Sequence, residues 1–281
     1  MTAPNPPAAR PDVRLVVSDM DGTLLTPEGA VPAAFWPLLE TMRNRGIRFV
    51  PASGRQYYTL EKLFARAPEG ISYIAENGNL VVHDGRFRAS TTVEAALVHD
   101  VIAAVRASAR NLGIVVCGTR GAVVERDDDP FLAECAKYYA RLDLVDDLLA
   151  VDDDVLKLAI YDFDDAAAAA RQEFDAFADR CRTVVSGPNW IDLMAPGVDK
   201  GIGVRALQAE LGVTPAQTVV FGDYLNDLEM LDAADWSFAM ADAHPQVRER
   251  ARYQAPANAD QGVITVLTEL LGGQVRLGDR A

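Results

Sequence analysis

The sequence predicts an α/β protein in which a parallel-sheet domain is interrupted by a smaller α/β domain. Three observations carry this. An apolar, β-branched run, "VRLVVSD" (13–19), is followed by a helical stretch and a second such run, "IRFVPAS" (47–53). Strand, helix and strand with short joints form a βαβ unit, whose two strands lie parallel. The texture changes near residue 86, and the parallel pattern resumes only after Lys200, with "TVVFGD" at 218–223. The chain has 281 residues, 49% hydrophobic and 24% charged, enough to bury one large core or two modest ones.

The elements follow in order. Residues 1–12, "MTAPNPPAARPD", read as a disordered Pro-rich tail without the apolar segment of a signal peptide. After the first strand, Pro32 opens a helix with Phe35, Leu38, Leu39 and Met42 at helical spacing, and Gly46 ends it. "QYYTLEKLFARA" is the next helix and "SYIAENG" (72–78) the next strand, and Asp84-Gly85 marks a hairpin. In the middle come an amphipathic helix (93–110), two strands joined at 118–121, a helix in "FLAECAKYYARL", a strand in "VLKLAIYDF", a helix in "DDAAAAARQEFDAFADRC" and a closing hairpin in "RTVVSGPNWIDLMA". A helix at 201–211, the strand at 218–223, a short helix from Asn226, "SFAM", a helix near Pro245, "RYQA" and a last helix at 263–271 complete the chain. The expected division is a discontinuous core, 13–85 and 189–281, and an inserted domain, 86–188.

The net charge of −14 argues against nucleic acid or an anionic membrane as partner, and no apolar stretch approaches bilayer length. Cys117, Cys135 and Cys181 are odd in number and widely spaced, and read as reduced thiols of a cytoplasmic protein. His83, His99 and His244 are scattered and suggest no ligand cluster. The Asp runs at 127–129 and 152–154 read as solvated loops or helix caps.

In a parallel sheet, ligands bind beyond the carboxyl ends of the strands. Asp19, Ser53 and Asp223 each fall at such an end. Singly each fits a plain turn or cap; together they fit a site. Asp19 and Asp223 offer hard oxygens suited to Mg²⁺, which prefers one or two carboxylates and substrate phosphate oxygens. Asp19 can also act as a nucleophile, since carboxylates form acyl-phosphates. Asp21, two residues on, can serve a leaving oxygen and then a water as general acid and base. Gly22 permits a sharp turn, Thr23 can bond its neighbours, and the Met20 amide can hold phosphate oxygens. "SGR" (53–55) brings a hydroxyl, an accessible Gly54 amide and a helix start. Lys200 supplies a cation for equatorial phosphoryl oxygens. "GDYLND" (222–227) gathers Asp223, Asn226 and Asp227.

Four motifs, "DMDGT", "SGR", "DKG" and "GDYLND", stand in the order found in the haloacid dehalogenase (HAD) superfamily. With "ENG" (76–78) and "DQGV" (260–263), the chain resembles its Cof-type phosphatases over nearly all residues beyond 12. The resemblance implies a Rossmann-like HAD core interrupted by a type C2B (IIB) cap that selects the leaving group. It implies Asp19 as nucleophile and Mg²⁺ ligand, and Asp21 as general acid/base with a carbonyl on the metal. It implies Ser53, Lys200, Gly54 and the Met20 amide around the phosphoryl group, Asp223 and Asp227 at the metal, and Asn226 at the substrate phosphate. A carboxylate at 21 favours phosphate-ester hydrolysis over carbon–halogen cleavage. Asp199 stands where relatives carry a small polar residue and is assigned no role. Arg120, Tyr161 and Trp190 of the cap could reach a substrate, but each reads more readily as structural or solvent-facing. The expected activity is Mg²⁺-dependent hydrolysis of a small phosphorylated metabolite, a sugar phosphate or phosphorylated cofactor, by a monomer or homodimer. A phosphomutase or phosphotransferase, and a non-catalytic phosphometabolite-binding protein, are the alternatives.

Overall fold

The βαβ pattern of the sequence becomes a twisted sheet with its first strand at the centre. A computed structural model of the chain describes residues 11–67 and 70–272; the expected tail lies, up to residue 10, outside them. Strand β1 (Leu15–Asp19) leads through a tight turn to helix α1 (Phe35–Asn44). Strand β2 (Arg48–Ala52) precedes α2 (Tyr57–Leu63), and β3 (Tyr73–Ala75) enters a turn at Glu76–Gly78. Strands β4 (Leu80–His83) and β5 (Arg86–Ser90) follow. Between them Asp84 and Gly85 both have positive φ, 50° and 68°, the geometry of a tight two-residue hairpin.

The middle comprises α3 (Ala95–Ala107), β6 (Leu112–Gly118), β7 (Ala122–Val124), α4 (Asp129–Cys135), β8 (Leu142–Leu144), β9 (Val155–Asp162), α5 (Ala166–Ala169), β10 (Arg182–Val185) and β11 (Trp190–Met194). The chain continues through α6 (Lys200–Leu211), β12 (Thr218–Gly222), α7 (Leu228–Leu231), β13 (Trp236–Met240), α8 (Pro245–Arg250), β14 (Tyr253–Ala255) and α9 (Gly262–Gly272).

Two compact units result. The first comprises residues up to Ser53, Leu63–Arg88 and the chain from Asp199 onward; the second comprises Gly54–Lys62 and Ala89–Val198. In the first, the strands are ordered β14-β13-β12-β1-β2-β3-β4-β5. β1 pairs in parallel with β2 on one side and β12 on the other. The strand order therefore reverses at β1, and a crevice opens at its carboxyl end. Leu15, Val16 and Val17 are fully buried there, as a strand covered on both faces requires. Phe35 of α1 is also fully buried, its ring centroid 4.7 Å from that of Phe49 and 6.3 Å from that of Phe64.

The second unit has its own sheet, β10-β11-β9-β6-β7-β8. One face packs under α3 and α5, with Val101, Ile102, Ile160 and Phe174 among its core. The other carries Phe131, Cys135, Tyr139, Tyr161 and the partly buried Trp190.

The division falls differently from the expected 86–188 insert. The unit runs on to Val198 because β11 pairs antiparallel with β9, so the hairpin split at residue 188 belongs wholly to the second sheet. It also takes in Gly54–Lys62. Strand β8 was not expected, and α4 stops at Cys135 rather than running through Leu142. Beyond that point the Tyr138 carbonyl accepts from the Thr59 hydroxyl at 2.7 Å, and the Ala140 amide donates to that hydroxyl at 3.0 Å. Bonds to Thr59 thus replace another helical turn. The helix expected over 164–181 forms in pieces, α-helical over Ala166–Ala169, a wider π turn over Ala170–Phe174 and a tighter 3-10 turn over Asp175–Phe177, with Phe174 fully buried. All three cysteines are free thiols, and all three are buried. Among the described residues, no helix is long and apolar enough to cross a membrane.

Phe35→Ala should lower stability by about 3–5 kcal/mol, the cost of an aromatic-sized cavity. A urea-unfolding midpoint close to wild type would show that the core around α1 collapses around the gap.

Candidate active site

The site forms where β1, β2 and β12 end. Asp19 is the last residue of β1 and pairs in register with Ala52, so Ser53 lies one residue beyond it on the neighbouring strand. Gly222 ends β12, so Asp223 emerges beside Asp19 on the other flank. The sequence thus delivers three polar residues to one edge because each follows an apolar strand of matching length.

Lys200 starts α6 and is fully buried. Its Nζ lies 2.5 Å from Asp19 Oδ1 and 2.7 Å from Asp227 Oδ1. Burial works against an ammonium, yet Asp19 and Asp227 outweigh it and hold Lys200 above the ordinary lysine range. Burial pushes Asp19 well above the usual carboxylate range; Lys200 opposes this, and Asp227 and Asp223 add to it. Asp223 is pushed up to about 6, chiefly by burial and then by repulsion from Asp227.

The remaining groups hold these charges in place. Thr23 Oγ1 donates to Asp223 Oδ1 at 2.7 Å. Asp227 Oδ2 accepts from the backbone amides of Asp223 and Tyr224, at 2.9 and 3.2 Å. Gly22 has φ 79°, and a Cβ there would lie 2.4 Å from Asp223 Oδ2. The "DMDGT" turn therefore needs glycine both for its left-handed backbone and for the carboxylate beside it. Met20 is buried, whereas Asp21 is exposed beyond the strand end.

The "ENG" turn is part of the same construction. The Asn77 amide donates to the Ser53 carbonyl at 2.9 Å, and Asn226 Nδ2 donates to Asn77 Oδ1 at 3.1 Å. Gly78 has φ 98°, and a Cβ there would lie 2.2 Å from the Asp199 carbonyl. Asp199, given no role from the sequence, caps α6: its Oδ1 accepts from the Ile202 amide at 2.8 Å. From the sequence, Thr23 is expected only to bond its neighbours, and Asn77 and Asp199 carry no role, although all three lie within the motifs DMDGT, ENG and DKG.

Other expected residues belong to the second unit. Gly54 belongs to the second unit, and α2 begins only at Tyr57, so the helix start lies beyond the SGR motif. Tyr161 and Trp190 pack edge-on at 4.9 Å within the second unit, and Arg120 is exposed in the β6–β7 turn. The Asp runs act as caps and turn ligands: Asp128 caps α4, and Asp153 accepts from the Thr119 hydroxyl.

Asp19, Asp223 and Asp227 bring one carboxylate oxygen each within 4.8 Å of one another. Hard anionic oxygens at this spacing fit Mg²⁺. They leave the cluster rich in negative charge with one ammonium to balance it.

Comparison with known proteins gives the family. Residues 16–267 match the family model described as haloacid dehalogenase-like hydrolase. A 5-amino-6-(5-phospho-D-ribitylamino)uracil phosphatase, YbjI of Escherichia coli (strain K12), is 34% identical over 265 residues, covering 92% of this chain and 96% of that one. The HMP-PP phosphatase of Cronobacter sakazakii is 25% identical, covering 83% of this chain and 86% of that one. Among solved structures, SMU.1108c from Streptococcus mutans UA159 superposes with a TM-score of 0.83 at 26% identity, covering 93% of this chain and all of that one. The chain belongs to the haloacid dehalogenase-like hydrolase family. Within that family it is a phosphatase, a hydrolase of phosphoric monoesters.

Protonation of Asp223 competes with any cation. Mg²⁺ affinity, measured by titration calorimetry, should fall by up to about tenfold per pH unit below about 6. Because the folded protein binds this proton more tightly than the unfolded chain, its stabilising contribution is complete below about 4 and is lost as pH rises through about 6. Thr23→Val removes a bond that favours the ionised carboxylate, so it should move the affinity midpoint to higher pH. An unchanged midpoint would exclude Asp223 as the titrating ligand.

Proposed function

We propose that the chain is a Mg²⁺-dependent phosphatase that hydrolyses a small phosphorylated metabolite through an aspartyl-phosphate on Asp19. The observation that carries this is the Asp19 carboxylate at a strand end, bonded to a buried Lys200 and flanked by Asp223 and Asp227. An acid placed merely to cap a turn has no need of a buried ammonium.

The reaction is read in two displacements. In the first, an oxygen of Asp19 attacks phosphorus, and the bond from phosphorus to the ester oxygen breaks. Asp21 gives its proton to the departing alkoxide. In the second, Asp21, now a carboxylate, takes a proton from water as that water attacks phosphorus. The bond to Asp19 breaks, inorganic phosphate leaves, and both side chains return to their starting states. Exposure suits Asp21 to this task, since it must meet both an alkoxide and water.

Lys200 serves the phosphoryl oxygens from behind Asp19, with the Ser53 hydroxyl and the amides of Met20 and Gly54 completing the cradle. Mg²⁺ would be held by the carboxylates of Asp19 and Asp223 and the Asp21 carbonyl, and when bound it offsets the negative charge of nucleophile and phosphate. Both oxygens of Asp227 are engaged, one by Lys200 and one by two amides, so its reading is that of a support for the metal site. Asn226, oriented by Asn77, is read as a phosphate contact.

The named activities of the relatives guide the substrate. YbjI, aligned over nearly its whole length, is named for a phosphoribityl ester on a pyrimidine, and the Cronobacter enzyme for HMP-PP. A sugar-alcohol phosphate joined to a heterocycle is therefore the first candidate, with sugar phosphates and phosphorylated cofactors next.

Asp19→Asn should cut turnover of para-nitrophenyl phosphate by at least about 10³-fold while leaving the circular dichroism spectrum intact. Asp21→Asn should slow turnover of poor leaving groups far more than of para-nitrophenol. Wild-type turnover by Asp19→Asn would overturn the nucleophile, and full activity after thorough chelation would overturn the metal requirement. Release of inorganic phosphate across a panel of phosphorylated metabolites tests the substrate class.

A further inference from the structure

The chain passes from the first unit to the second between Ser53 and Gly54, inside the SGR motif. The segment just beyond is docked by side chains. Gln56 Nε2 donates to the Arg141 carbonyl at 2.8 Å, and the Arg141 amide donates back to Gln56 Oε1 at 2.9 Å. Thr59 bonds the backbone of Tyr138 and Ala140, and the Tyr58 hydroxyl donates to the Thr119 carbonyl at 3.1 Å.

Gly54 is held by a different kind of group. Its carbonyl accepts from Lys157 Nζ at 2.7 Å. Lys157 lies within the apolar strand β9 and is only 3% exposed. Its Nζ is 3.4 Å from Asp192 Oδ1, also 3% exposed, on the adjacent strand β11. Asp192 pairs with Ala159, two residues from Lys157, so both side chains emerge on one face of the sheet.

Such a pair is expensive. Desolvating a lysine and an aspartate costs several kcal/mol per ion, and well-packed apolar residues in their place are often no worse for stability. A central strand gains nothing from this pair as a strand. What the pair does is fix one peptide: with no Cβ, Gly54 is free to swivel, and an anchored carbonyl removes that freedom.

We propose that Lys157, backed by Asp192, is a positioning residue for phosphate binding, anchoring the Gly54 carbonyl so that the Gly54 amide and the Ser53 hydroxyl keep a fixed direction. The proposal rests on the reading of Ser53 and Gly54 as phosphoryl contacts. In this role Lys157 acts through the loop, by its bond to the Gly54 carbonyl. Its effect should therefore fall on affinity for the phosphoryl group more than on turnover.

The test uses the full chain with saturating Mg²⁺. It measures kcat and KM for para-nitrophenyl phosphate, the inhibition constant of inorganic phosphate, and thermal unfolding, for Lys157→Met, Lys157→Arg, Ser53→Ala and Gln56→Ala. Lys157→Met should raise KM and the phosphate inhibition constant by about tenfold or more, with a smaller change in kcat. Lys157→Arg, which keeps a donor, should recover most of the loss. Gln56→Ala loosens the same segment without touching the Gly54 peptide, and should leave both constants near wild type. A folded Lys157→Met with wild-type constants overturns the proposal. If Lys157→Met does not fold, Asp192→Asn carries the test: raised constants support the role and unchanged ones overturn it. Ser53→Ala separates the two levels. If it binds phosphate as the wild type does, the underlying reading of the loop falls. If it binds weakly while Lys157→Met is unchanged, only the role of Lys157 falls.

Discussion

A fully buried ammonium bridging two carboxylates is the interaction on which the rest of the first unit depends. Lys200 cannot be buried alone, because an unpaired charge away from water is prohibitively costly. Asp19 and Asp227 make its burial possible, and it does the same for them. The arrangement requires three chain segments remote in sequence to end within a few ångströms of one another. Parallel pairing of β1 with both β2 and β12 supplies that convergence, since register sets where each strand stops. The surrounding turns then have little latitude. Gly22 admits the Asp223 carboxylate, and Gly78 lets its turn approach the backbone before Lys200.

The same economy explains which parts of the molecule were legible in the sequence. A strand buried on both faces must be apolar throughout, so β1, β2 and β12 announce themselves, and the residue ending each is marked by the abrupt change to Asp, Ser-Gly or Gly-Asp. Asp19, Ser53 and Asp223 are therefore legible at one sheet edge from the sequence alone. The tight hairpin at Asp84-Gly85 was equally plain, because two consecutive positive φ values leave few residue choices.

What the sequence concealed is of another kind. α4 ends early because the Thr59 side chain, remote in sequence, takes over the backbone groups a further helical turn would have used. No local pattern records such a competitor. Strand β8 is only three residues long and pairs parallel with β7, too short for its alternation to register. The boundary after residue 188 was misplaced because a hairpin does not declare which sheet it joins; β11 joins β9. The partners of Thr23, Asn77 and Asp199 were concealed for a related reason. Each acts by orienting another polar group, and orientation is not written in residue type. Lys157 left a clearer trace, a single cation inside an apolar strand.

Charge balance decides what kind of ligand the cluster can accept. One ammonium stands among three carboxylates, so the end of β1 is anionic even with Lys200 in place. A phosphate monoester brings further negative charge to the same spot, and burial magnifies the repulsion because little water remains to screen it. Lys200 alone cannot offset that charge, since two carboxylates already share it. An anionic substrate is therefore compatible with these residues only alongside additional positive charge, which the acidic oxygens are well suited to hold as a divalent cation. Burial first, and the neighbouring carboxylates after it, raise Asp19 and Asp223, so each carboxyl retains its proton more strongly than it would in water. A site meant only to grip phosphate would be built from cations and amides. Concentrating acids at the end of β1 accords with the proposed bond from Asp19 to phosphorus.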